Sequence, residues 1–327
     1  MMFDFLKKLL PRRIVGIDIG SFAVKITELS QWGKTTTLEN YAYVKLSSVL
    51  KELSPNTRRR ETVLAGDLAA AVIKKMLDEA KIRTKTAIFS VPDFSTFCTS
   101  FDLPPMTEKE IPGAIFYNAS RHIAVPVSEV TLDWRVISDA GADGKSPLKV
   151  FLVAVSNQVV QEYKTIAGAA GLELYALEGE VFGISRALVK DNKKTICLVD
   201  VGAQSSTLNI IDKNLLKRSY SFNFPSSQLS ENVSFTFLAE SLLEEIKSIS
   251  ADFFQSEQKQ VEEIYLTGGG ANLPGLKEHI AKTLNKNVSV PDCFSGILYP
   301  PALRESLLEI GPGFSAAVGV ALDGLDI

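Results

Sequence analysis

The chain has 327 residues, 46% of them apolar and 22% charged, which excludes an intrinsically disordered polymer and gives a prior of about two domains. Thirty-five Lys and Arg stand against 38 Asp and Glu, a net charge of −3, which argues against a general nucleic-acid binder, because such proteins need a basic face. No apolar run approaches the ~18 residues that a membrane-spanning helix requires.

In chain order, residues 1–13 (MMFDFLKKLLPRR) form an amphipathic, basic tail that Pro11 brings to an end. It reads either as transient contact with an anionic membrane face or as a loose tail or packed first turn. Asp4 and the basic residues interrupt its apolar run, so no secretory signal is expected. RIVGIDIGSFAVKITELS reads as strand, glycine turn and strand, and TTTLENYAYVKL as a third strand. SPNTRRRET is a polar loop in which Arg58–Arg60 read most simply as solvated. LAAAVIKKMLDEAKI has helical spacing, and TAIFSVPD is a short apolar strand closed by Pro92.

The character changes at FDLPPMTEKEIPGAIFYNASRHIAVPVSEV, where Pro104, Pro105, Pro112 and Pro126 flank a helix-like middle. TLDWRVISD and LKVFLVAVS read as paired strands around the loop AGADGKSP, and VVQEYKTIAGAAGL as a helix closed by Gly171. Strand, helix, two strands and a helix make a small α+β module over residues 97–172. EVFGISRALVK is a helix leading to TICLVDVGAQSSTLNIIDKNLLKRSYSFNF, again strand, glycine turn, strand, turn, strand. SLLEEIKSISADFFQ is an amphipathic helix. VEEIYLTGGGANLPGLKEHIAKTL reads as strand, glycine loop and helix, with Pro274 in the helix's first turn. GPGFSAAVGVAL is a closing helix of small residues.

An internal repeat carries the chemistry. Ile17-Asp18-Ile19-Gly20-Ser21 recurs 182 residues later as Val199-Asp200-Val201-Gly202-Ala203, each between an apolar strand and a second strand. Two such hairpins across a cleft make a phosphate clamp, since glycine lets backbone N–H groups approach an oxyanion. Asp18 and Asp200 would repel phosphate directly and make sense through Mg2+ and its retained waters. Ser21 offers a hydroxyl, and Lys25 a positive charge if it points inward. The third element, Gly268-Gly269-Gly270 after the strand EEIYLT, offers a side-chain-free surface to a purine or α-phosphate near a helix start. The plain alternative is that all these glycines only turn the chain.

Other residues carry less. His122 and His279 read as helix-surface residues. Cys98, Cys197 and Cys293 have no Cys/His partners at zinc-site spacing; Cys197 reads as a buried strand residue, and an odd cysteine count fits a reducing compartment. Trp134 and Tyr117 read as core residues before they read as a module face.

Taken together, VGIDIGSFAVKITEL, the stretch from FDLPPM to LDWRV, AAGLELYALEGEVFGISRAL, LVDVGAQSSTLNIID and IYLTGGGANLPGLKEHIAKTL resemble the PilM family of type IV pilus assembly proteins, within the actin and sugar kinase superfamily. Pro126, Glu129, Val130, Leu132 and Asp133 are the most discriminating part. The resemblance implies an α/β, actin-like two-lobed fold built of ribonuclease H-like repeats, with a small inserted α+β module. The implied layout is a tail at 1–13; a first lobe of 14–96 plus 173–195 and 313–327; the module at 97–172; and a second lobe at 196–312. It implies ATP with Mg2+ between the lobes, and capture of the cytoplasmic N-terminal peptide of a PilN-like membrane protein at the junction of first lobe and module. The implied place is the cytoplasmic side of the inner membrane, with peripheral membrane contact only, self-association as a further expectation, and hydrolysis at most that of a weak ATPase.

One departure is large. Family members continue after the second lobe's hairpin with a glycine pair and an outer subdomain that serves the ribose. Here Phe224 and Pro225 fall near the place of the glycine pair, and 21 residues separate Ser219 from Ser241, so the second lobe is expected to be truncated around 219–241. The alternative function is therefore a protein-binding module that has lost nucleotide. A sugar-kinase-like enzyme and a division protein like FtsA are weaker alternatives, the first for want of a positioned base, the second for want of a C-terminal membrane helix.

Overall fold

Ile14 to Asp18 are buried without a break, the mark of a strand covered on both faces. They lie in β1 (Arg12–Ile19), which pairs antiparallel with β2 (Ala23–Trp32), itself paired antiparallel with β3 (Thr35–Lys45). The computed structural model describes residues 11–48, 66–137, 146–190, 193–223 and 235–326. The expectations for the amphipathic part of the tail, for SPNTRRRET with Arg58–Arg60, and for most of AGADGKSP lie outside the described residues.

The chain divides into two units, one comprising residues up to Val91 and from Ile166 onward, the other Pro92–Thr165. In the first, α1 (Gly66–Glu79) buries Ala69, Ala70, Val72, Ile73, Met76 and Leu77 and leads to β4 (Thr86–Val91), parallel to β1. β8 (Glu173–Gly179) adds parallel to β4, and β14 (Ile297–Leu298) parallel to β3. The sheet order is β14-β3-β2-β1-β4-β8. A second sheet holds β9 (Ile196–Val201), β10 (Ser206–Asp212), β11 (Leu215–Phe222), β12 (Glu263–Thr267) and β13 (Asn287–Ser289) in the order β11-β10-β9-β12-β13. Apart from β14 at the edge of the first sheet, third, second, first, fourth, fifth is thus the order of strands in both sheets, each opening on the repeated hairpin and mixing antiparallel with parallel pairs. β8 went unread in the sequence because its pattern of exposure is irregular.

Between β11 and β12 runs α5 (Phe235–Glu257), which buries Leu238, Leu242, Leu243, Ile246 and Phe253 among Val199, Leu208 and Leu266; each such side chain contributes about 1.5–3 kcal/mol. A second core joins Ile14, Leu29 and Ile88 of the first sheet to Leu198 of the second. Two helices make that junction: α4 (Glu180–Leu188), through Ile184, and α7 (Arg304–Asp326), through Phe314, Val318 and Ala321. They cross with their backbones touching: a Cβ on Gly319 would lie 1.8 Å from the Gly183 carbonyl oxygen. Small residues in GPGFSAAVGVAL therefore serve a close helix crossing.

That helix begins earlier than its sequence suggests, at Arg304, with Pro312 inside it. Proline has no N–H for the carbonyl four residues back; that residue is Leu308, 49% exposed, where water can serve the carbonyl instead. Conversely α6 (Leu276–Leu284) starts later than expected, because Gly275 at φ 83° is outside the helical region.

In the second unit β5 (Thr96–Leu103), β6 (Val130–Val136) and β7 (Leu148–Ser156) form a separate antiparallel sheet in the order β5-β7-β6. α2 (Ile111–His122) packs Ile115 and Ala119 against Leu103, Val150 and Leu152. α3 (Asn157–Ala169) then carries the chain back to the first unit. Trp134 and Tyr117 correct the core reading: they are 39% and 63% exposed. Leu132 and Val136 on the same face of β6 meet the core that α2 covers, and Trp134 between them stays open. Tyr117 faces outward beneath Arg121, whose guanidinium lies 4.9 Å from the ring centre.

Candidate functional site

Asp18 is the last buried residue of β1, 3% exposed, and the hairpin register sets Lys25 of β2 directly opposite. Lys25 Nζ donates to Asp18 Oδ2 at 2.7 Å, and Ser90 Oγ of β4 donates to Oδ1 at 2.8 Å. Both carboxylate oxygens are thereby engaged. Burial works to lower the Lys25 pKa and is outweighed by Asp18, Asp200 and Glu180, so it stands above its ordinary value and the ammonium stays charged. Gly20 closes the hairpin over this pair: a Cβ there would lie 3.4 Å from Lys25 Nζ. Ser21 is exposed at the hairpin tip.

Asp200 occupies the corresponding place in β9, opposite Thr207 of β10 and beside Thr267 of β12. Gly202 and Ala203 form the turn between β9 and β10. The third glycine element folds back onto this turn. Gly270 N–H donates to the Val201 carbonyl at 2.9 Å, and Gly268 N–H to the Pro312 carbonyl at 2.9 Å. Buried Thr267 donates its hydroxyl to that same Pro312 carbonyl. Gly269 has nothing within 4 Å of a Cβ position, so its surface is open.

The structure thus joins Asp18, Gly20 and Lys25 in one group, and Asp200, Gly202, Gly268 and Gly270 in another, with the Asp200 charge acting on Lys25. Ser21, Ala203 and Gly269 lie at the tips of their turns. Four contributors were missed in the sequence. Ser90 is the one polar residue in the buried run Ala87–Val91 of the strand TAIFSV, and a hydroxyl amid that apolar run is a signal that could have found it. Tyr43, cross-strand from Lys25, has its pKa raised by burial and drawn back by the Lys25 charge. Glu180 opens α4 immediately after a strand that was not foreseen. Pro312 supplies a carbonyl, which no side-chain pattern reveals. Among the described residues, no group of three or more His, Cys, Asp or Glu is arranged to hold a metal ion by itself.

The family model described as type IV pilus assembly protein PilM matches residues 16–237 and 221–325. The chain belongs to the PilM family. Among solved structures, it is similar to a chain of a PilM–PilN type IV pilus biogenesis complex, with 22% identity, 95% of this chain and 98% of that one covered, and a TM-score of 0.79. It is also similar to the ethanolamine utilization protein EutJ from Carboxydothermus hydrogenoformans, with 14% identity, 96% and 91% covered, and a TM-score of 0.51. At these identities the likeness is one of fold, and that fold is α/β with mixed sheets, as in actin-like ATPases. No described helix is long and apolar enough to cross a membrane.

Proposed function

We propose that this member of the PilM family is an actin-like scaffold on the cytoplasmic face of the inner membrane, in type IV pilus assembly or a related secretion system. It binds the cytoplasmic N-terminal peptide of a PilN-like membrane protein, and it takes Mg·ATP at the Asp18–Asp200 site. Family membership across almost the whole chain is the observation that carries the scaffold reading. The module of residues 97–172 serves the peptide: β5 and β6 are edge strands of its sheet, able to accept an extended partner, with Phe97 and Trp134 exposed on them.

The residues present fit Mg·ATP. Asp18 and Asp200, from the two repeats, act on one cationic position, and the open surface at Gly269 leaves room for a ligand. Mg2+ would be held through water by the two aspartates, where it neutralises phosphate charge. Gly20, Ser21, Gly202 and Ala203 then face the phosphates, and Gly268–Gly270 the adenosine side. Hydrolysis is not needed for this role.

One observation favours the second reading, a scaffold without nucleotide. Only residues 223–234 separate β11 from α5, too short a stretch for a ribose-binding subdomain of several elements. Calorimetry on the full chain separates the two, with a PilN-like cytoplasmic peptide and Mg·ATP added singly and together. Saturable heat from both supports the proposal. Peptide binding without nucleotide binding selects the second reading, and no peptide binding overturns the scaffold assignment.

A further inference from the structure

The Lys25–Asp18 pair is built in by the fold. The hairpin register places the two residues opposite each other on one face of β1 and β2. The lysine stem passes glycines on both sides: a Cβ on Gly313 would lie 3.9 Å from Cε, and one on Gly20 3.4 Å from Nζ. At the end of this slot the ammonium meets a carboxylate that is 4% exposed, while the lysine side chain is 18% exposed. Asp200 and Glu180 add their negative charge at the same place. A buried carboxylate is costly unless a cation accompanies it.

We infer that Lys25 is the resident counter-cation of this acidic site, standing in the nucleotide-free chain where a nucleotide's Mg2+ brings its charge, so that metal binding and the Lys25–Asp18 pair exclude each other. This rests on the Mg·ATP reading of the same site. Mg2+ arriving alone meets a carboxylate whose charge is already matched, and it repels the ammonium. Mg2+ arriving with phosphate gives the displaced ammonium a new anion. The consequence is obligatory coupling: metal and polyphosphate bind together, and metal alone is refused.

The test uses the full chain as wild type, Lys25→Met and Lys25→Met/Asp18→Asn, with thermal unfolding and calorimetry in millimolar Mg2+, in tripolyphosphate, and in both. The wild-type midpoint is unmoved by Mg2+ alone. Lys25→Met melts roughly 5–10 °C lower, and Mg2+ alone recovers part of that loss. The double variant melts above Lys25→Met without Mg2+ and ignores the metal. If Lys25→Met does not fold, the double variant decides, because removing the unmatched carboxylate must restore folding. A Lys25→Met chain as stable as wild type overturns the inference. So does a loss that neither Mg2+ nor Asp18→Asn repairs, or a wild type that binds Mg2+ alone. A wild type that ignores Mg·ATP and Mg·tripolyphosphate overturns the nucleotide reading instead, while the Mg2+-only comparison still judges Lys25.

Discussion

Gly268 packs so closely on Asp200 that a Cβ at the glycine would lie 2.1 Å from Asp200 Oδ1. Its φ of 83° is also one that only glycine adopts without strain. The glycine loop and the second aspartate turn are therefore one folded piece, held besides by the Gly270–Val201 bond. Two neighbouring glycines should then respond oppositely. Gly268→Ala is expected to destabilise the chain by about 2–4 kcal/mol, whereas Gly269→Val should unfold at the wild-type urea midpoint and lose adenosine nucleotide. Equal stability of the two variants would show that the loop is not locked to Asp200 in solution.

Asp18→Asn removes the charge that both Lys25 and a metal need. Mg·ATP affinity is expected to fall tenfold or more, about 1.4 kcal/mol, while metal-free nucleotide changes less. The same titrations with GTP should show weak discrimination, because residues 223–234 leave little chain to read a ribose and base. Tight, adenine-selective binding would mean that these residues rebuild the nucleoside side.

The repeated hairpins were legible because their cues are local: apolar runs, a glycine at each turn, and Asp18 and Asp200 in matching places. Register was not written there in the same way, so the sequence could nominate Lys25 for charge without showing that it faces Asp18. Glu180 and Ser90 reach the site through β8 and β4, and the parallel pairing of β4 with both β1 and β8 joins segments 72 and 87–88 residues apart. Pro312 was read as the edge of a helix. It lies inside one, and its carbonyl's role was not legible because that depends on what approaches it in the fold, here Gly268 and Thr267.

The α4–α7 crossing gives a prediction on stability alone. Gly319→Ala would place a methyl group against the Gly183 backbone, which has no side chain to move aside. A cost of about 3 kcal/mol or more is expected, read as a shift in the urea midpoint. Substituting Gly33, in an open turn with nothing within 4 Å of a Cβ, should cost much less even though its φ is positive. A Gly319→Ala chain as stable as wild type would mean that the helices cross further apart.

Asp212 supplies a pH dependence with a definite sign. Its carboxylate, 5% exposed, accepts from Lys259 Nζ at 2.6 Å and from Thr195 Oγ1 at 2.9 Å. Burial works to raise its pKa, and the bonds from Lys259 and Thr195 with the Lys259 charge outweigh it, so the folded value lies below the ordinary 3.8. A group whose folded pKa is depressed contributes stability above its unfolded pKa and loses it as pH falls through the folded one. Asp212→Asn should therefore cost about 1–2 kcal/mol at neutral pH, a figure kept small because Lys259 is 43% exposed and screened by solvent. As pH falls below ~4 the unfolded chain takes up the proton first and the advantage shrinks, and the two chains converge once pH has passed below the lowered folded value of Asp212. Urea midpoints of both chains, followed from neutral to acid pH, measure this directly. A gap that stays constant through the acid range would mean that the pair contributes packing and neutral hydrogen bonding, with no net gain from its charge.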